Sequence, residues 1–224
     1  FGPGDPFGGT TGAHGQAVCA CPGLYLRSGP VHGRGGQRLA WYAKQFGLLD
    51  SLQFDGITTA KGTIEAYGAA DVLVAWSAIG QHKDLVNPCA YLNFIGAIAA
   101  GGVGRQTYLV ESITVGGKST YKSDAADGDR IMSEATAETL REMMRANVEY
   151  YYGDENFPGL TVCAKSGTAE KDGDLEANAL FAGFVSDEVY PLAFIVIVED
   201  GGYGASTCVP MISQVLTACK EVMD

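Results

Sequence analysis

The last third of the chain constrains its fold more than any other part. Leu160 to Glu170 reads LTVCAKSGTAE, and two apolar runs follow it closely, Ala179 to Ser186 and Pro191 to Glu199. In the first, Leu160, Val162 and Ala164 alternate with Thr161, Cys163 and Lys165, the period-two pattern of a half-buried strand. The stretches Ala179 to Val185 and Leu192 to Val198 are apolar at successive positions, so helices should cover both faces of their sheet. The loops between the three runs are short, which favours hairpins over crossovers and predicts consecutive antiparallel strands.

The first of these strands ends in groups that can do chemistry. Lys165 supplies positive charge, Ser166 a hydroxyl, and Gly167 lets another backbone approach closely. The amide of Thr168 can point at a developing oxyanion. Such a set suits a ligand carrying a carboxylate and a carbonyl. A Lys-Ser-Gly tripeptide also arises by chance, so its meaning depends on what surrounds it.

The remaining elements can be read in chain order. Residues 1 to 36 hold a disproportionate share of the 31 glycines and read as loop. A helix is expected from Gln37 to Phe46, with Leu39, Tyr42, Ala43 and Phe46 on one face and Gly47 as its stop. Residues 50 to 70 read as loop and short strand, and Ala78-Ile79-Gly80-Gln81 as a tight turn. A second helix runs from Asn87 to Ala100, entered at Asn-Pro and ended by Gly101-Gly102, with Tyr91, Leu92, Ile95, Ile98 and Ala99 as its core positions. Thr107 to Val115 and Lys118 to Ser123 flank Gly116-Gly117, a strong hairpin signal. Ser133 caps a helix bearing Leu140, Met143, Met144 and Val148 that stops at Gly153. A last helix, about Ser206 to Met223, should bury Val209, Ile212, Val215, Leu216 and Cys219.

Composition excludes some functions. A formal net charge of -11 argues against nucleic-acid binding, which needs a basic face to meet phosphates. It also gives no reason to expect an anionic membrane surface as partner. The 6 cysteines lack paired CxxC spacing and the 3 histidines are scattered, so neither a metal nor another cofactor is expected. Cys163 and Cys208 sit inside apolar runs and read as small buried hydrophobes. Cys89 stands at a helix N-terminus, where a thiol pKa falls, although the bland reading is preferred there too. No run of about 18 apolar residues is present to span a membrane.

Lys-Thr-Gly is the third motif of penicillin-binding proteins and class A β-lactamases. The stretch from Gln37 to Asp224 resembles the penicillin-binding protein transpeptidase family through five segments in the family's order. These are QRLAWYAKQFGL, SAIGQHKDLVNPCAYLNFIGAIAAGG, SEATAETLREMM, AKSGTAE with NALFAGFV, and a closing helix. The resemblance implies an α/β fold of the α+β type, an antiparallel sheet flanked by helices, here in truncated form. It implies residues 37–224 as a transpeptidase-like domain preceded by a Gly-rich remnant, residues 1–36. It further implies peptidoglycan cross-linking by acyl transfer from D-Ala-D-Ala stem peptides, β-lactam binding, and a place in the cell envelope at the outer face of the cytoplasmic membrane. Any membrane contact would come through a segment not in this chain. Lys165, Ser166, Gly167 and Thr168 would then line the substrate cleft, with Gly80 and Gln81 near its far end.

The beginning of the chain departs from the family. A serine acyltransferase of this kind needs a helix-borne serine with a lysine one turn later, the SxxK motif, and a Ser/Asn element across the cleft. In the family the serine follows Pro-Gly. Here Pro3-Gly4 is followed by Asp5, and Gly8 stands where the lysine would be, so Asp5 occupies the nucleophile position without being competent there. No SxN occurs in residues 1 to 50. Ser119-Thr120-Tyr121-Lys122 fits SxxK literally but lies in the expected hairpin, where the two side chains point to opposite faces. Three readings follow: a transpeptidase domain by descent, a non-catalytic module that keeps the Lys-Ser-Gly strand for binding stem peptides or as a scaffold, and a truncated or faulty gene.

Overall fold

The computed structural model describes residues 35–66, 69–123, 126–171 and 175–224. Asp5, the rest of the Gly-rich stretch before residue 35, and Cys19 and Cys21 lie outside the described residues. Chain order is α1 (Gly35–Gln45), β1 (Gln53–Phe54), β2 (Ile57–Thr58), α2 (Asp71–Ala78) and α3 (Pro88–Ala99). Then come β3 (Val103–Arg105), β4 (Ser112–Val115), β5 (Lys118–Lys122), β6 (Asp127–Arg130) and α4 (Glu134–Asn147), and finally β7 (Val162–Ala169), β8 (Asn178–Val185), β9 (Ala193–Val198) and α5 (Gly204–Met223).

Strands β7, β8 and β9 form an antiparallel sheet in that order, as their short connections predict. Because side chains alternate across a strand, the sheet presents two inner faces. Val162, Ala164, Phe181 and Val185 pack beneath α5 against Cys208, Val209, Ile212 and Leu216. On the other face Cys163, Ala182 and Phe184 meet Phe94, Ile95 and Ile98 of α3 and Leu140 and Met144 of α4. The two faces are therefore covered by helices, α5 on one and α3 with α4 on the other.

Several boundaries and faces differ from the sequence expectation. β7 is buried on both faces at Val162, Cys163 and Ala164 rather than half-buried, because α4 lies across the face that holds Cys163. Met143 and Val215 were expected in the core yet are about half exposed, at 51% and 53%. In α4 the buried stripe runs through Ala137, Leu140 and Met144, and in α5 through Cys208, Val209, Ile212 and Leu216. Within α3 the buried positions are Ala90, Phe94, Ile95, Ala97 and Ile98, so Phe94 takes the place expected for Leu92. Helix α2 was not anticipated. Its preceding residue, Ala70, makes no side-chain cap, and Val72, Leu73 and Trp76 face outward, so neither a start signal nor a buried stripe marks it.

The hairpin at Gly116-Gly117 forms, with both glycines at positive φ, but its first strand begins at Ser112 instead of Thr107. The reason lies in where the amides go. Leu109 and Val110 donate to the Asp55 carboxylate, at 2.5 and 3.0 Å, rather than to a neighbouring strand, and Tyr121 donates its hydroxyl to the same carboxylate at 3.2 Å. Asp55 thus clasps the exposed β4–β5 arm to the β1–β2 turn, and these backbone donors hold its carboxyl below the ordinary carboxylate range. A depressed folded-state pKa contributes stability above the unfolded value and loses it as pH falls through the folded value. The arm is therefore expected to be held at neutral pH and to loosen below about pH 4. Protection of the Leu109 and Val110 amides, relative to their intrinsic exchange rate at each pH, should fall on acidification, and their exchange at pH 7 should accelerate in Asp55→Asn. Unchanged exchange in that variant would show that the arm is held by something else.

Candidate active site

Among the described residues β7 is an outer strand, so one of its edges faces away from β8. The β7–β8 register sets Lys165 opposite Ala182, Ser166 opposite Phe181, Gly167 opposite Leu180 and Thr168 opposite Ala179. Side chains of Ser166 and Thr168 share the α5 face with Val162 and Ala164, and those of Lys165 and Cys163 share the other. Lys165 Nζ folds back and donates to the carbonyl of Ser166 at 2.7 Å. The Ser166 hydroxyl instead accepts from the phenol of Tyr152 at 2.9 Å, and the Ser166 amide donates to that same phenol oxygen at 2.8 Å.

Helix α5 begins directly over the motif. Gly204 N–H donates to Thr168 Oγ1 at 3.0 Å, and a Cβ on Gly204 would fall 2.1 Å from the carbonyl oxygen of Gly167. Only a glycine lets the helix start this close to the strand. With its hydroxyl committed to α5, Thr168 keeps its backbone groups directed the same way as those of Ser166, off the free edge of the sheet.

Over the sheet face that carries Gly167, Leu180 and Ile195, at the Thr168 end of β7, lies a cavity of about 200 Å³. Gly167, Thr168, Leu180 and Ile195 form one wall, and Leu39, Phe46, Gly80 and Tyr91 contribute to the opposite one. Gly80, with φ 83°, ends the turn after α2. Gln81 follows it, half-buried, and donates its amide to Trp76 O at 3.0 Å. Gly80, Gly167 and Thr168 thus meet at one cavity, while Lys165, Ser166 and Gln81 lie outside its lining. Its polar lining includes Ser77 and Asp84. Burial pushes the Asp84 carboxyl up against the hydrogen bonds that oppose it, among them the Glu65 amide at 3.1 Å. Ser77 Oγ is buried close to that carboxyl without a well-formed hydrogen bond.

Sequence reasoning missed Tyr152, Arg145 and Asn147, which reach the β7 edge from α4 and the turn after it. Tyr150-Tyr151-Tyr152 ahead of Gly153 is the only local signal, and it does not say which of the three turns inward. Ser119 and Lys122 lie on the exposed hairpin, Ser119 Oγ donating to Tyr121 O at 3.2 Å. Cys163 and Cys208 are buried free thiols, and burial raises Cys163 to about 11 despite the neighbouring Arg145 and Arg141. A thiol so protonated is inert at neutral pH. Among the described residues no cluster of His, Cys, Asp and Glu is placed to hold a metal ion.

The described residues thus form an antiparallel sheet with α5 on one face, α3 and α4 on the other, and Lys-Ser-Gly-Thr on its outer strand. The chain belongs to the penicillin binding protein transpeptidase domain family, whose model matches residues 34–217. Peptidoglycan D,D-transpeptidase PbpA of Mycolicibacterium smegmatis is 27% identical over 172 residues, 75% of this chain and 35% of that protein. PbpA of Mycobacterium tuberculosis is 25% identical over 171 residues, again 75% of this chain and 35% of the relative. The chain thus spans about a third of the length of these relatives. Among solved structures, the ceftriaxone acyl-enzyme complex of penicillin-binding protein A from M. tuberculosis superposes with a TM-score of 0.73 at 23% identity, over 80% of this chain and 42% of that one. The D,D-transpeptidase domain of a peptidoglycan glycosyltransferase from Eggerthella lenta gives 0.70 at 24%, over 84% and 48%. The α+β fold expected from the sequence is therefore the fold observed.

Proposed function

We propose that this chain supplies the peptide-holding wall of a penicillin-binding protein transpeptidase domain and does not itself carry out acyl transfer. Residues 37–224 form the transpeptidase-like domain and residues 1–36 a Gly-rich remnant of the nucleophile region, with Asp5 where the serine belongs. The ligand is a peptidoglycan stem peptide ending in D-Ala-D-Ala, with β-lactams as analogues of it, and the setting is the cell envelope at the outer face of the cytoplasmic membrane. Family membership supports this reading, as do the names of the relatives, which are peptidoglycan D,D-transpeptidases.

One observation carries the proposal. The Thr168 end of β7 borders an apolar cavity that lies over the adjoining sheet face, so an extended peptide pairing with that backbone can turn a small side chain into it. In this reading Lys165 attracts the terminal carboxylate, Thr168 N–H binds the carbonyl, and Gly80 and Gln81 bound the far end. A charged hydrogen bond lost from such a site weakens binding by about 10- to 100-fold. Lys165→Ala is expected to reduce the affinity for an acetylated D-Ala-D-Ala peptide by that factor in a calorimetric titration, with an unchanged circular dichroism spectrum. Equal affinity in the variant would refute the role given to Lys165.

A further inference from the structure

The outward backbone groups of β7 are not all available to a ligand. Those of Val162, Ala164, Ser166 and Thr168 point away from β8, since the alternate residues pair with it. Arg145 Nη1 donates to the carbonyl of Val162 at 2.8 Å, and Asn147 Nδ2 to that of Ala164 at 3.3 Å. At Ser166 the carbonyl accepts from Lys165 and the amide donates to the Tyr152 phenol. A side chain therefore occupies each outward carbonyl from Val162 to Ser166, and also the outward amide of Ser166. This row stops one step before Thr168.

We infer that Tyr152 is a positioning residue that closes the β7 edge at Ser166 and so makes Thr168 the point at which an incoming peptide must pair. The inference rests on the peptide-binding reading above and adds to it a residue that sets the register of the ligand. A one-residue change of register would exchange the faces of every ligand side chain, so a stop at this position decides which of them meets the apolar cavity.

The way the chain delivers Tyr152 supports the assignment. Helix α4 is regular to Asn147 and then widens into a π-helical turn, Val148–Tyr152, in which Gly153 N–H reaches back five residues to Val148 O at 2.8 Å. Such turns are rare and recur at functional positions. Here the turn leaves Tyr150 and Tyr151 exposed, at 78% and 53%, and carries Tyr152 inward. Its ring stands edge-on to Phe181 with centroids 5.0 Å apart, which aims the hydroxyl at Ser166. Burial keeps the phenol protonated, so it can donate to Ser166 Oγ while accepting from Ser166 N–H.

The test is amide hydrogen exchange, followed by NMR, on the full chain and on Tyr152→Phe, each with and without an acetylated tripeptide ending in D-Ala-D-Ala. Phenylalanine keeps the ring against Phe181 and removes only the hydroxyl, so a residue that merely packs would leave exchange unchanged. Without peptide, the Ser166 amide is expected to exchange about tenfold faster in the variant, the size of one lost hydrogen bond. Amides of Phe181 and Ala182 should hold their rates, which reports an intact sheet. With peptide, protection should appear at Thr168 alone in the native chain and extend to Ser166 in the variant. An unchanged Ser166 rate without peptide overturns the inference, as does identical peptide protection in both chains. Peptide that protects no β7 amide in either chain overturns the binding reading and the register role with it, and the Ser166 rate then reports only the hydrogen bond.

Discussion

Incubation with a labelled penicillin is expected to leave the mass of the 224-residue chain unchanged. Opening the lactam requires a hydroxyl oxygen to bond to the carbonyl carbon as the C–N bond breaks, with a base that takes the hydroxyl proton and passes it to the leaving nitrogen. Among the described residues no hydroxyl near the cleft has that partner. Ser166 Oγ accepts from Tyr152, whose phenol burial keeps protonated, and Lys165 is turned to the Ser166 carbonyl instead of its hydroxyl. The hydroxyl of Thr168 accepts from the Gly204 amide. Ser119 sits on a strand, where a lysine three residues on does not share its face. On the proposal above, Asp5 stands at the nucleophile position as a carboxylate, with Gly8 where a lysine would be. A stoichiometric adduct in the intact-mass spectrum would overturn this expectation, and peptide mapping would then identify the residue that reacted.

Phe181→Ala should destabilise the fold by about 3–5 kcal/mol, the usual range for a fully buried aromatic truncated to a methyl. The ring is 0% exposed. It is stacked with Phe194 at 5.9 Å between centroids and stands nearly perpendicular to the Tyr152 ring at 5.0 Å. Removing it leaves a void between β7–β9 and α5 that neighbouring backbone, held by the strand ladder, cannot close. For a chain of this size the loss corresponds to a fall in Tm of roughly 10 °C. The same change should loosen Tyr152 and speed exchange of the Ser166 amide. A Tm within about 2 °C of the native value would mean that the core repacks around the void or that the sheet does not depend on this ring.

Residue patterns are enough to place the three-stranded antiparallel core, the helices that cap at Asn87 and Ser133, the Gly116-Gly117 turn and the family. Each of these rests on information local to a few residues. Period two marks β7, an Asn-Pro pair starts α3, whose Asn87 side chain accepts from the Cys89 and Ala90 amides, and Ser133 accepts from the Thr136 amide to start α4. Local signals also placed Lys165, Ser166, Gly167 and Thr168 at a strand end. Tertiary structure alone decided which of three adjacent tyrosines turns inward, because a π-helical turn shifts the facing by an amount that no residue pattern records. It decided which element covers the second face of β7: the burial of Cys163 fits its apolar run, but only the packed chain shows that α4 lies across it. It decided, too, that Gly204 must be a glycine, for a reason 37 positions away in sequence, the carbonyl of Gly167. Contacts between distant segments depend on how close two backbones come, and only the packed chain sets that distance.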